Sequence, residues 1–494
     1  MLALFITIAL ALRLYVAFSS PGVNYDAYSV LRQVEHIHNT GAPLFYDPLS
    51  FGGRTLFFSP LYHYVLAGLS FIFSYEFVLK VFPNLFAALT ILVVYFLSLF
   101  ITKNESISLI PAALSGIVPV FFSNTINNAS VYNIVIPMFF LCIYYFLRTN
   151  QDSKQVTKLI ICLIFMTLLN PASLILATSM LLYLFMIRIL GFRESLREAE
   201  IVTFFVFFAL WITLITYKVA LSTYGIDILW QNLPLELAGK TFMQVNILEI
   251  LYGIGFVPIL FGLASIYRSL FNSKNKGITM MMSIVIVLFF LLWFKLIPLT
   301  EGLSFMGVAL TILAASSIDS VYYTMKQTKF KFAPALTVII LMVVAVVTFL
   351  PSISAAQVQS SITPSKADIS AMQWLSNNTP ENSTVLALPE EGYALSYFSN
   401  RKNVIDQDYV LIKNVNKRFN DVTNIYDEHF LTSALEKLNY YSVDYIFLSQ
   451  RAQEKTHVYI LNFWDKNCIT LVYPNDSTDL NSPKIYQVKC TLNK

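Results

Sequence analysis

Long apolar runs separated by short polar stretches fill the first 350 residues. They fall at about 2–18, 81–101, 107–122, 131–148, 158–170, 172–190, 201–221, 249–268, 278–297, 302–320 and 333–350. A spanning helix needs about 20 apolar residues, so the repetition predicts a polytopic α-helical membrane domain over 1–351 with about eleven spans. The first run has no basic residue ahead of it and is interrupted by Arg13, which predicts a retained helix rather than a cleaved signal.

Cationic residues orient the runs. Arg148, Lys154 and Lys158; Arg188, Arg193 and Arg197; Arg268, Lys274 and Lys276; and Lys326, Lys329 and Lys331 form four clusters that the positive-inside rule assigns to the cytoplasm. Two crossings must separate neighbouring clusters. Between Lys158 and Arg188 these are two short helices broken at Asn170-Pro171. Counting back, loop 123–130 is outside, Lys103 is inside, and a large first external loop runs from 19 to 80. The apolar segment 60–74 then has no place in the parity and is expected to be a juxtamembrane or re-entrant helix. The eleventh span puts 352–494 outside as well.

After Pro351 the period changes. Helix-like stretches at about 366–376, 392–399 and 427–440 alternate with strand-like 385–388, 403–405 and 444–448, followed by a hairpin at 468–473 and 484–490. That alternation predicts a small extracytoplasmic α/β domain over 352–494. Composition agrees with a membrane protein: 56% of residues are hydrophobic and only 13% charged. A net charge of +4 with no basic block gives no footprint for nucleic acid. Cys142 and Cys162 lie in apolar runs; Cys468 and Cys490 flank the hairpin and would pair in an oxidising compartment.

The polar loop carries most of the candidate chemistry. Asp26, just beyond the first helix, is placed to bind a divalent cation or to act as general base; the alternative is a cap for the polar helix starting near Ala27. Arg32 and Arg54 can clamp a phosphate or simply sit among lipid headgroups. Asp47 is the acid of the loop's second half, Gly52-Gly53 predicts a turn, and His63 is either interfacial or part of the substrate site. Within apolar runs, Arg13, Lys218 and Lys295 are ionisable; each is close enough to a helix end to snorkel, which is the preferred reading for the two lysines. No HExxH, GxSxG or Walker pattern occurs, which removes support for metalloprotease, serine hydrolase and ATPase functions.

The series Asp26-Ala27-Tyr28, Arg32, Gly41, Asp47, Gly53-Arg54 and Pro60 resembles the first external loop of the GT-C glycosyltransferase superfamily. The pattern is most similar to the catalytic subunit of oligosaccharyltransferases and its archaeal and bacterial relatives. Ser59-Pro60-Leu61 also resembles the juxtamembrane segment of protein mannosyltransferases, and Gly392-Tyr393, Asn400-Arg401 and Asp406 resemble the segment after the oligosaccharyltransferase acceptor motif. The resemblance implies transfer of a sugar or oligosaccharide from a polyprenyl-phosphate-linked donor to an acceptor outside the membrane. It makes Asp26 the first-loop acid that engages acceptor or metal, Mg²⁺ or Mn²⁺. Two departures stand out. Loop 123–130 offers Asn124, Asn127 and Asn128 but no carboxylate, and Leu388-Pro389-Glu390-Glu391 replaces the Trp-Trp-Asp acceptor motif, making Glu390 and Glu391 the substrate-binding residues expected there. The acceptor is therefore left open. Rival functions are an inactive relative that binds a lipid-linked glycan or a partner, and a transporter, which would need paired ionisable residues and broken helices in two related halves.

Overall fold

The computed structural model describes residues 1–150, 152–192, 195–243, 246–271, 275–327, 339, 350–474 and 480–491. The expected span 333–350 lies almost wholly outside these residues, as do Arg193, Lys274, Lys329 and Lys331. The chain is mostly helical and divides into two compact units, one of residues 1–19, 59–218 and 239–361, the other of 20–58, 219–238 and 362–494. This division differs from a single cut after 351. The polar segment 20–58 holds one amphipathic helix and a two-residue strand pair, too little to bury a core by itself, so it folds with the C-terminal part.

In the first unit the expected apolar runs from 2–18 to 302–320 fall on helices. Five are long and apolar enough to cross a membrane: Leu2–Ser19, Tyr75–Thr102, Leu196–Thr216, Lys276–Trp293 and Leu299–Gln327; the number rises to seven if each of two bent pairs counts as one span. The pairs are Glu105–Ser115 with Pro119–Thr125, bent by 48°, and Ile247–Ile254 with Phe256–Phe271, bent by 93°. Gly255, at φ +95°, makes the second bend. Tyr132–Leu147 and Ser173–Ile189 are apolar but shorter. The expected break at Asn170-Pro171 is present: Asn170 is extended and its side chain accepts from the Ala172 N–H at 2.8 Å. The segment after Pro60 forms a helix only over Leu61–Ser70, roughly 15 Å long and too short to cross. The next helix starts at Tyr75, within the loop expected over 19–80.

Leu299–Gln327 is the central helix of this unit, with Gly302–Phe305 and Gly307–Ala315 buried. It lies against Phe256–Phe271 so closely that a Cβ on Gly262 would come within 2.9 Å of Leu310. Three of the basic clusters meet at one end of the unit. The buried Glu198 carboxylate accepts from Asn150 at 2.6 Å and pairs with Lys276 at 3.1 Å, while Arg197 donates to the Thr149 carbonyl. Arg13 does not snorkel. It is buried and donates to Asn84 and Thr125 at 3.0–3.2 Å, with its guanidinium over Phe121 and Phe122.

The second unit is built on a five-stranded sheet. Its strands are β3 (Thr384–Leu386), β4 (Lys402–Asn403), β5 (Tyr445–Leu448), β6 (Ile469–Tyr473) and β7 (Lys484–Val488); β1 (Tyr46–Asp47) and β2 (Arg54–Thr55) pair separately. The order is β4-β3-β5-β7-β6, parallel across β4, β3 and β5, then antiparallel. All four residues of β5 are buried, as the continuous apolar run requires of a strand covered on both faces. Disulfide Cys468–Cys490 closes the hairpin. Helices Val415–Asn424 and Gln450–Thr456, too short and polar to read from periodicity, complete the layers.

Candidate active site at the carboxyl ends of the parallel strands

Strand order fixes where this site is. The chain leaves β3 for β4 on one side and then crosses back to β5 on the other side of β3, so the winding reverses at β3 and β5. In open α/β sheets such a reversal places the ligand crevice beyond the carboxyl ends of the strands. Beyond β3 lie Glu390 and Glu391, beyond β4 lie Ile405 and Asp406, and beyond β5 lie Ser449 and Arg451. Glycine is required where this turn begins: a Cβ on Gly392 would collide with the Ile405 carbonyl and with Asp406.

The 20–58 segment docks onto the same ends. The Phe51 N–H donates to Asn403 Oδ1 at 2.8 Å, the Asn403 N–H donates to the Leu49 carbonyl at 2.8 Å, and Ser50 Oγ donates to Asp406 Oδ2 at 2.5 Å. Phe51 itself is buried in the core of the unit with Val404, Ile405 and Tyr409. Its φ of +52°, with Gly52 and Gly53 also positive, makes the turn expected at Gly52-Gly53. Tyr28, on helix Ala27–Thr40, packs against Tyr397 and Phe398 with ring centroids 5.5 and 5.1 Å apart.

This docking engages both loop arginines. Arg54 pairs with Asp406 at 3.1 Å and Asp408 at 3.3 Å, and donates through Nε to Ser50 at 2.6 Å and through a terminal nitrogen to the Asp408 carbonyl. Burial works against its positive charge, but Asp406 and Asp408 more than offset that and hold the guanidinium above its ordinary value. Burial likewise pushes the Asp406 carboxyl up, against the pull of Arg54 and Ser50. Arg32 forms a two-pronged pair with Asp47 at 2.5 and 2.7 Å, and Asp47 also accepts from the Leu49 N–H. The two arginines expected to face a phosphate thus already have carboxylate partners in this unit, and Asp47 is spent on Arg32. His63 lies in the other unit, on helix Leu61–Ser70. Arg401 is structural as well: it donates to the Ser376 and Thr379 carbonyls and so closes helix Lys366–Asn378.

Asp26 is different. It holds the cap position of helix Ala27–Thr40, yet its side chain makes no cap hydrogen bond, and no hydrogen bond or ion pair joins its carboxylate to a described residue. Crowding by the surrounding protein and the Glu390 carboxylate push its pKa up to about 6, against the pull of Arg451. The side chain still meets solvent, so water offsets part of that push. Beside it, Glu390 Oε1 pairs with Lys455 at 2.6 Å while Oε2 is buried without a partner among the described residues. Glu391 is fully buried, accepts from Ser449 Oγ at 2.5 Å, and leaves Oε2 unpartnered. Burial first, then Asp368 and Glu390, push its pKa up to about 8, so at neutral pH it carries a proton. Arg451 lies over the Tyr25 ring at 5.5 Å, with its Nε buried and unpartnered.

Together these residues form one accessible, uncommitted carboxylate on a polar floor that holds a neutral acid. Sequence reasoning missed Ser50, Asn403, Ser449, Arg451 and Tyr25. The available signal was their position at the ends of parallel strands, or, for Ser50 and Tyr25, in the segment that docks there. Among the described residues no three His, Cys, Asp or Glu side chains converge as a metal centre. Asp26 and Glu390 are the carboxylates that would hold a divalent cation here, since a hard cation takes oxygen ligands.

No family model matches the chain, and no curated protein matches it in sequence. Solved structures do match in fold. The Archaeoglobus fulgidus oligosaccharyltransferase in its apo form superposes with a TM-score of 0.71 at 17% identity, over 93% of this chain and 70% of that one. The same enzyme in complex with zinc and sulfate gives 0.69 at 17% identity, over 96% and 72%. With an inhibitory peptide and a dolichol-phosphate bound, the archaeal AglB gives 0.69 at 16% identity, over 96% and 73%. ArnT from Cupriavidus metallidurans, bound to undecaprenyl phosphate, gives 0.55 at 11% identity, over 98% and 97%.

Proposed function

We propose that this chain, whose fold is that of the GT-C membrane glycosyltransferases, is itself one of them. It takes a sugar or oligosaccharide from a polyprenyl-phosphate-linked donor and transfers it to an acceptor on the outer face of the cell membrane. The observation that carries this is the Asp26 carboxylate immediately after the first helix, without a hydrogen-bond or ion-pair partner among the described residues, within a fold matched over 93% of the chain by an oligosaccharyltransferase. An inactive, purely structural Asp26 would be expected to use its carboxylate as the helix cap, and it does not. Structures of the same fold bound to dolichol-phosphate and undecaprenyl phosphate support a polyprenyl donor.

In this proposal about eleven spans make up 1–351, and the α/β unit is extracytoplasmic. Disulfide Cys468–Cys490 supports an oxidising compartment for that unit, and the convergence of three basic clusters at one end of the helical unit supports that end being cytoplasmic. Asp26 acts as general base on the acceptor, or holds a divalent cation together with the donor phosphate. Such a cation, Mg²⁺ or Mn²⁺, would supply positive charge to the departing phosphate. Glu390 takes the hydroxyl or amide hydrogens of the acceptor, and Glu391, buried and protonated, belongs to the floor of the same acceptor-side site. Arg32 and Arg54 act through Asp47 and Asp406 by holding the loop that carries Asp26. His63 remains in the proposal as a donor-side group.

The test is release of label from a pool of polyprenyl-linked radioactive sugars by membranes containing the chain, with and without a chelator. Label leaving the lipid supports the enzyme, and its loss on chelation supports the cation. Lipid-linked sugar retained on the purified chain without transfer would instead favour a binding protein.

A further inference from the structure

A cavity of about 330 Å³ opens at the basic end of the helical unit, far in sequence from Asp26. It is lined by Phe96, Leu99, Phe100, Lys103, Tyr144 and Arg148, with Glu105 also on the wall. Lys103 and Arg148 are the residues immediately after helices Tyr75–Thr102 and Tyr132–Leu147, so two apolar helices end at one polar mouth. The residues below that mouth are greasy: Phe96 and Tyr144 meet with ring centroids 5.6 Å apart, and Phe96 is exposed on the flank of a membrane-length helix.

The cations are held in place by aromatic rings. Lys103 Nζ lies 4.3 Å from the centre of the Phe100 ring, Arg148 lies over Tyr144 at 5.3 Å and donates to its hydroxyl, and Lys158 stands over the adjacent Tyr145. Among the described residues Lys103 has no ion-pair partner. Two cations against one carboxylate leave one positive charge in excess at the wall of the cavity.

We propose that this cavity binds the headgroup of an anionic phospholipid. The phosphodiester lies between Lys103 and Arg148, the uncharged headgroup reaches Glu105 with its hydroxyls, and the acyl chains run down the Phe96 and Leu99 flank. Charge complementarity selects a ligand with one negative charge, and the apolar wall selects a lipid over a soluble anion, for which that wall has no use. The site would hold the helical unit to an anionic leaflet independently of the transfer reaction.

The experiment uses the purified full chain in detergent, titrated with phosphatidylglycerol, with phosphatidylcholine and with glycerol phosphate, and reads bound lipid by native mass spectrometry and melting temperature. Phosphatidylglycerol should bind and raise the melting temperature, whereas the other two should not. Lys103→Asn, which keeps the left-handed backbone at φ +58°, should weaken phosphatidylglycerol binding about tenfold, the loss of one charge-assisted contact. Glu105→Gln, which removes the one negative charge among the described residues of the wall, should tighten it. Unchanged binding in Lys103→Asn would overturn the site. Competition by glycerol phosphate at equal concentration would overturn the lipid and leave a soluble phosphate ligand.

Discussion

Single residues here divide into charges committed to a partner and charges that are not. Arg54 and Asp406 are both buried and hydrogen-bonded on all sides, so removing one strands the other. Arg54→Ala should cost roughly 3–5 kcal/mol of stability in the α/β unit, and Arg54→Lys should not restore it, because an ammonium cannot reach Ser50, Asp406 and Asp408 together; thermal melts of the three proteins decide this. Glu391 titrates in the opposite sense from a paired carboxylate. Its pKa of about 8 in the folded protein lies above that of an unfolded glutamate, so its contribution is intact below about pH 4 and is lost as pH rises toward 8. Glu391→Gln should therefore flatten the loss of stability between pH 5 and pH 8, about a few kcal/mol in the wild type, as followed by melting temperature against pH. As general base, Asp26 must be ionised, so transfer should rise with pH through about 6. Asp26, Arg32, Arg54 and Asp47 were all legible in the sequence as a polar island in a greasy chain. Their partners were not: Arg54 meets Asp406 across 352 residues, and no local pattern encodes that distance.

Elements decide how those residues are brought together. Periodicity located the apolar helices and the strands 384–386 and 445–448, because a run of buried residues is a local property. It did not show that the 20–58 segment completes the C-terminal unit. That docking rests on contacts between residues far apart in sequence, such as the Phe51 N–H to Asn403 Oδ1, the Arg54–Asp406 pair and the buried Phe51 ring. Asn403→Ala removes the acceptor for Phe51 and leaves its N–H buried, at a cost of about 1–3 kcal/mol. The expected result is faster limited proteolysis within 41–58 with the helices intact by circular dichroism. Gly392→Ala tests the turn after β3 in the same way: the added methyl has no room against Ile405 and Asp406, and the protein should express poorly or melt markedly lower. The helix 415–424 escaped sequence reading because its apolar stripe, Val415, Phe419 and Val422, is only three residues wide.

For the whole molecule, fold and chemistry are separate statements. The chain shares its fold with oligosaccharyltransferase and ArnT at 11–17% identity, which fixes an architecture but not a reaction. What raises the enzyme above an inactive relative is local: an accessible Asp26 carboxylate with no described hydrogen-bond or ion-pair partner, next to Glu390 and a protonated Glu391. The central claim is tested most directly by comparing sugar transfer from polyprenyl-linked donors in membranes carrying the wild type and Asp26→Asn at matched expression. The account predicts transfer by the wild type and a loss of at least about 100-fold in the variant, the scale of removing a general base. Equal transfer by both proteins would contradict it.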